Sequence, residues 1–256
     1  MNFKKVFLKK KTKKYLLVIP VLNEGILIKK LLNKIIKLKI YKIVDVLIVD
    51  GGSKDGSIKE LNFAKKYLNG IIIINNNTGL SKQLLTAYKI SHNRDYYGTI
   101  TIDGNFKDNP NKISTFINYI EDGYHFVQGS RFIKGGGEEN TPLVRKYGIK
   151  LLHAPILSFY SKFKWTDTTQ GYRGYNNIIF KDKKINIFRN IFRKYELLAY
   201  LNYILPLSGY ACIEIPTFRK YNKINKINSK IKGFSSNFEI FKILLKVCWG
   251  SFNTNR

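Results

Sequence analysis

Asp103 and Asn105 stand one residue apart where the β-branched run Thr99-Ile100-Thr101-Ile102 stops. Gly104 lies between them, and Pro110 sits near the start of a new amphipathic segment, so the stretch reads as strand, loop, helix. Two oxygen-bearing side chains at the carboxyl end of a strand point oxygens toward a hard cation or a ribose. The chemistry such a pair serves is the holding of a diphosphate. The plain alternative is a loop in which Asp, Gly and Asn only make the turn.

The elements that must position this pair repeat one pattern. Tyr15 to Pro20 is a continuous apolar run of strand length, followed by Asn23 and Glu24 and then by Leu27, Leu31, Ile35 and Leu38 on one helical face. Ile43 to Val49 is a second buried strand ending on Asp50. A loop dense in turn residues, 51 to 57, follows it, and Ser57 with Glu60 has the spacing of a capping box. Ile71 to Ile74 is a third strand, 75 to 79 a loop, Leu80 to Ile90 a helix and Gly98 to Ile102 a fourth strand. Alternation of this kind predicts a parallel, right-handed, doubly wound sheet. Asn23 with Glu24, Asp50 and its glycine loop, and Asp103 with Asn105 then converge on one crevice.

The 256 residues suffice for one large α/β domain or two small ones, and 44% hydrophobic content is that of a globular core. The formal net charge of +28 points to an anionic partner: nucleic acid, an acidic membrane surface or phosphorylated substrates. Eight arginines leave 37 of the basic residues as lysines, beside heavy use of Ile and Asn, so a general compositional bias explains the charge equally well. Met1 to Lys14 carries seven lysines and no signal-peptide run. It reads as a basic arm for anionic lipid or as a solvated terminus. Leu197 to Ile213 is uncharged for 17 residues, but Asn202, Pro206, Ser208 and Gly209 interrupt it, which predicts helix end, turn and buried strand. Phe238, Phe241, Leu245 and Trp249 share a helical spacing, as a membrane-facing or a domain-packing tail would.

Several chemistries are excluded or disfavoured. Cys212 and Cys248 have no His or Cys at metal-ligand spacing and suggest a reducing setting. There is no Gly-x-x-x-x-Gly-Lys-Ser/Thr and no Gly-x-Gly-x-x-Gly after the first strand. His92, His125 and His153 read as structural or surface residues. No helix-turn-helix, zinc or RNA-recognition motif accompanies the charge, so no nucleic-acid partner is expected.

The motifs resemble glycosyltransferase family 2. Val-Ile-Pro-Val-Leu-Asn-Glu (18 to 24), Val-Asp-Gly-Gly-Ser-Lys-Asp-Gly-Ser (49 to 57) and Ile-Asp-Gly-Asn-Phe-Lys-Asp-Asn-Pro (102 to 110) stand in that family's order. Gln-Gly-Ser-Arg-Phe (128 to 132) and Asp-Thr-Thr-Gln-Gly-Tyr-Arg-Gly-Tyr (167 to 175) resemble its later motifs, as do Glu214-Ile215-Pro216, Arg219, and Ser229 with Lys230. The similarity leans toward the branch of dolichyl-phosphate mannose synthase and bacterial polyprenyl-phosphate sugar transferases.

The resemblance implies a GT-A fold, with a Rossmann-like, mostly parallel central sheet flanked by helices. It implies a division into a basic arm over 1–14, a catalytic domain over 15–231 and an amphipathic tail over 232–256. Within the domain, 15–110 would hold the nucleotide-sugar and 111–231 shape the acceptor site. Pro20, Asn23, Glu24 and Asp50 would line the nucleoside pocket. Asp103 and Asn105 would occupy the two ends of an Asp-x-Asp metal motif for Mg2+ or Mn2+, and Arg131 and Arg145 would hold an acceptor phosphate.

Three departures stand out: Gly51 where many members carry a second Asp, Asn105 for the second metal-binding Asp, and Lys107 where a glutamine often helps the metal. Divalent-ion affinity falls with such changes. Lys107 either meets the diphosphate itself or extends into solvent. The departures also admit a relative that binds a donor without turning it over.

The reaction implied is inverting transfer of a sugar from a UDP- or GDP-sugar to a polyprenyl phosphate, by a cytoplasmic protein peripherally attached to the inner face of an anionic membrane. Asp103 would act at the departing diphosphate and Arg131 at the acceptor. A lipid monophosphate needs no strong base because its oxygens are largely ionised near neutrality. The alternative acceptor, a hydroxyl of a cell-surface glycan, requires a positioned carboxylate, for which Asp167 is the candidate. For Arg173 and Arg219 a structural ion pair and a ligand contact are both open.

Overall fold

The computed structural model describes residues 3–74, 79–221 and 233–254. Ser229, Lys230 and the loop expected over 75–78 lie outside them. In chain order the strands are β1 (Phe3–Leu8), β2 (Tyr15–Val21), β3 (Val44–Asp50), β4 (Gly70–Ile74), β5 (Gly98–Thr101), β6 (Phe126–Ser130), β7 (Gly137–Glu139), β8 (Arg173–Asn176), β9 (Cys212–Pro216) and β10 (Phe218–Lys220). The helices are α1 (Ile26–Lys37), α2 (Leu80–Asn93), α3 (Ile113–Glu121), α4 (Leu143–Tyr147), α5 (Ala154–Ser161), α6 (Ile178–Lys181), α7 (Glu196–Leu207) and α8 (Gly233–Cys248).

Eight strands form one sheet in the order β1-β4-β3-β2-β5-β8-β6-β9. β2 is parallel to β3 and β5, β3 to β4, and β6 to β9, whereas β1 and β8 run antiparallel to their neighbours. The carboxyl ends of β2, β3, β5, β6 and β9 therefore share one edge with the amino end of β8. That topology is what gathers the site.

β2 and β3 are buried along their whole length because helices cover both faces. Alternation decides which side each residue serves: Leu16, Val18, Leu47 and Val49 join one core, and Leu17, Ile19, Val46 and Ile48 the other. The uncharged stretch 197–213 becomes α7, a turn and the start of β9, as its punctuation predicts.

Three local expectations are corrected. Residues 3–8, expected in a basic arm, pair with β4 as an edge strand of the sheet. The segment after Ser57 is a 3-10 helix, Lys59–Tyr67, with no side-chain cap. The Ser57 hydroxyl is already engaged, accepting from the Glu24 and Gly25 N–H groups at 2.9 and 2.8 Å, so it ties the loop after β2 to the loop after β3. In α8, Ile243, Leu244, Val247 and Cys248 are the residues buried against the domain, while Phe238 and Trp249 of the expected stripe remain exposed.

Candidate active site

At the shared strand edge the chain encloses a cavity of about 300 Å³. Of the residues expected in the site, Pro20, Glu24, Asp103, Asn105, Lys107, Arg131 and Arg145 line it. Asn23, Asp50 and Asp167 do not; each holds a wall.

Asp50 is buried and accepts the N–H groups of Gly52 and Ser53, both at 2.9 Å, together with the Ser53 hydroxyl. Asn23 adopts a left-handed backbone (φ 51°) and accepts from the Lys54 N–H at 2.9 Å. The two residues expected at the nucleoside are thus fasteners of the loops beside it. Gly51 has a local reason: a Cβ there would stand 3.0 Å from Nε2 of Gln83. That amide donates to the carbonyls of Val21 and Val49 at 2.7 and 2.9 Å and joins β2 to β3 at the cavity wall.

The loop after β5 is held from three sides. Gly104 sits where a Cβ would come within 2.9 Å of the Pro20 carbonyl, and Phe106 takes a left-handed backbone (φ 52°). Asp108 and Arg219 form an isolated antiparallel backbone bridge, which fastens the loop to β10. Arg219 then donates from one guanidinium nitrogen to Asp103 at 2.8 Å and from the other to Asp108. Gln170 donates to the other oxygen of Asp108 at 2.7 Å. Burial raises the carboxyl of Asp108 above the ordinary range despite the arginine beside it. Neither Asp108 nor Gln170 was legible as a site residue in the sequence, because their part is to hold Arg219 rather than to reach a ligand.

Arg131 and Asp167 form a second buried ion pair. Nε donates to Oδ2 at 2.6 Å and Nη2 to Oδ1 at 2.9 Å, with side-chain exposures of 1% and 0%. Burial opposes the charge on Asp167, but the guanidinium and the surrounding N–H donors hold its carboxyl below the usual range. Both oxygens are occupied and sealed from the cavity, so Asp167 does not offer the free carboxylate that a general base requires. Glu214, in the middle of β9, sets this arrangement by accepting the N–H groups of Thr166 and Asp167 at 2.8 and 2.9 Å. Arg173 is neither ion pair nor ligand contact. It is fully buried and donates to the carbonyls of Thr168, Gln170 and Leu198.

Around the cavity stand five cations, Lys107, Arg131, Arg145, Lys194 and Arg219, against two carboxylates, Glu24 and Asp103. The Tyr221 phenol lies among them. Burial would raise its pKa, yet the neighbouring Arg219, Arg145, Arg131 and Lys107 draw it below its ordinary value. Lys107 is itself drawn down, chiefly by burial and then by Arg219. His153, expected as a structural or surface residue, lines the cavity and shares a 2.6 Å hydrogen bond with Thr168. Burial pushes its pKa down to about 4, so the ring is neutral near pH 7.

The residues expected to hold Mg2+ or Mn2+ do not fit that task. Asp103 already receives Arg219. Asn105 turns its amide nitrogen toward Asp103 at 3.5 Å and its oxygen to the Lys107 N–H at 3.2 Å. Among the described residues no group of three or more His, Cys, Asp or Glu side chains is placed to hold a metal.

The model of Glycosyl transferase family 2 matches residues 16–188. The chain belongs to that family. It is a glycosyltransferase with a GT-A fold. The polyprenol monophosphomannose synthase of Mycolicibacterium smegmatis is 24% identical over 207 residues, covering 78% of this chain and 75% of that protein. The dolichol-phosphate mannosyltransferase of Pyrococcus furiosus is 27% identical over 130 residues, 50% of this chain and 36% of that one. Among solved structures, glucosyl-3-phosphoglycerate synthase from Mycobacterium tuberculosis with Mn2+, UDP and glucosyl-3-phosphoglycerate superposes with a TM-score of 0.59 at 13% identity, over 93% of this chain and 80% of that one. Mannosyl-3-phosphoglycerate synthase from Rubrobacter xylanophilus superposes at 0.63 and 13% identity, over 94% and 76%.

Proposed function

We propose that this family 2 glycosyltransferase moves a sugar, with inversion, from a UDP- or GDP-sugar to a polyprenyl phosphate at the surface of an anionic membrane. The observation that carries the reading is the gathering of five cations on one cavity, Arg131 and Arg219 set by their carboxylate partners with Lys107 and Arg145 beside them, together with the sealing of Asp167. A diphosphate leaving group and an acceptor monophosphate both need fixed positive charge, aimed where negative charge builds in the transition state. An ionised phosphate acceptor needs no base, and no free base is offered by Asp167. The name of the Mycolicibacterium relative agrees with a prenyl-phosphate acceptor.

Side chains facing solvent support the membrane part of the reading. Leu143, Val144, Tyr147, Leu151, Leu152 and Phe159 are all exposed along one helical stretch that runs through α4, a π-helical turn (Gly148–His153) and α5. Lys146, Lys150 and Lys162 stand among them. An apolar face rimmed with lysines suits the boundary of an anionic bilayer. The same stretch sends Arg145 and His153 to the cavity, so a lipid head group arriving at this face would meet the site directly. No described helix is long and apolar enough to cross a membrane.

The test is transfer of labelled sugar from UDP- and GDP-sugars to a short polyprenyl phosphate, followed by organic extraction. Label in the organic phase is the expected result. Donor binding without extractable label would move the acceptor to a glycan hydroxyl, and absence of any donor binding would sink the reading.

A further inference from the structure

We propose that this site holds the donor diphosphate with its own cations, Lys107 foremost, and without a divalent metal ion. The inference rests on the nucleotide-sugar reading above and concerns how that substrate is held.

Charge balance carries it. Asp103, Asp108, Lys107 and Arg219 form one cluster at the end of β5, in which two negative and two positive side chains cancel. An aspartate at position 105 would leave that cluster one charge negative. Asparagine leaves it neutral, so no surplus carboxylate remains there to draw a divalent ion, and a neutral carbonyl is the weaker ligand for a hard cation. Two of the oxygens that would ligate the ion are also engaged. Oδ2 of Asp103 accepts from Arg219 at 2.8 Å, and Oδ1 of Asn105 accepts from the Lys107 N–H at 3.2 Å.

The same cluster suits an incoming anion. Lys107 extends into the cavity rather than to solvent and lies 4.8 Å from the centre of the Tyr221 ring. Asp103, the carboxylate that acts on it, is already shared with Arg219. An ammonium group presented in this way binds phosphate oxygens as a point charge. The lysine thereby supplies the positive charge at the departing diphosphate that a metal supplies elsewhere. The acceptor phosphate oxygen bonds to the anomeric carbon as that carbon's bond to the diphosphate oxygen breaks, the electron pair stays on the departing diphosphate, and the ammonium group neutralises that charge without giving up a proton.

Calorimetric binding of UDP and of GDP, with Mn2+ and with excess chelator, tests this on wild type, Lys107→Met and Asn105→Asp. Wild type is expected to bind one of the nucleotides with the same affinity in both conditions. Lys107→Met is expected to weaken binding in chelator by about tenfold or more, with its thermal unfolding unchanged. Asn105→Asp is expected to make binding respond to Mn2+, and it keeps the test valid where the methionine variant fails to fold. A wild-type affinity that collapses in chelator overturns the inference and leaves the transferase reading standing. Unchanged affinity in a folded Lys107→Met protein also overturns it. Absence of UDP and GDP binding in every condition overturns the functional reading itself.

Discussion

Gly171 lies so close to Asp103 that a methyl group on its α-carbon would stand 2.5 Å from Oδ1 of the carboxylate. The amino end of β8 thus packs on the loop after β5 with no room for a side chain, and Thr101 seals the approach by donating to the Gly171 carbonyl at 2.7 Å. Gly171→Ala is expected to push Asp103 off Arg219 and to lower the transfer rate by about 100-fold. Circular dichroism of the variant should remain that of the wild type, because the sheet pairs elsewhere.

The Arg131–Asp167 pair leads to a stability prediction. Removing one partner leaves a buried charge without compensation, so Asp167→Asn is expected to cost about 3–5 kcal/mol at pH 7, read by urea unfolding. The carboxyl of Asp167 is held below its ordinary value. Its contribution is therefore complete above the unfolded pKa near 4 and is lost as pH falls through the lower native value. The gap between wild type and Asp167→Asn should close in that acid range. A gap that widened there would contradict the assignment.

His153 acts in the same direction, through burial of its ring. Its pKa falls from 6.5 to about 4 on burial, so between these values the unfolded chain binds a proton that the native chain does not. Stability should rise with pH across that window, by about 2 kcal/mol between pH 5 and pH 7 from this residue. His153→Gln should flatten that part of the unfolding profile. Transfer rates near neutrality should show no ionisation from this ring.

The order of the elements and the convergence of strand ends on one crevice were legible, because buried parallel strands are written as unbroken apolar runs and turns as Gly, Asn and Asp. Pro20, Glu24, Asp103, Asn105, Lys107, Arg131 and Arg145 were singled out in the sequence and line the cavity. Gln83, Asp108, Gln170 and Lys194 were not, since a polar residue in a helix or loop carries no local mark of the partner it meets across the sheet. Asn23, Asp50 and Asp167 show the converse. Their residue types suit a ligand, yet neighbouring N–H groups and a guanidinium claim their oxygens first. Burial of a whole carboxylate is a tertiary event that no spacing announces.

The exposed apolar face supplies another expectation. Leu151→Glu combined with Phe159→Glu should lower partition onto vesicles containing anionic phospholipid by about tenfold or more, since two large apolar contacts and two charges change together. Co-sedimentation measures it. UDP or GDP binding in the absence of vesicles should be unchanged, because both side chains point away from the cavity. Equal partition of the variant and wild type would remove this face from the membrane reading.

The bridge between Asp108 and Arg219 spans 111 positions of the chain. A contact of that sequence separation closes late in folding, after the loop it encloses has lost most of its freedom. β2, β3 and β4 pair between chain neighbours and can assemble before it, but the loop after β5 cannot settle until β10 arrives from the last sixth of the chain. During synthesis this enzyme therefore has three adjacent strands of its sheet well before it has a site. The same bridge is where native-state hydrogen exchange should first report opening, with the core strands still protected.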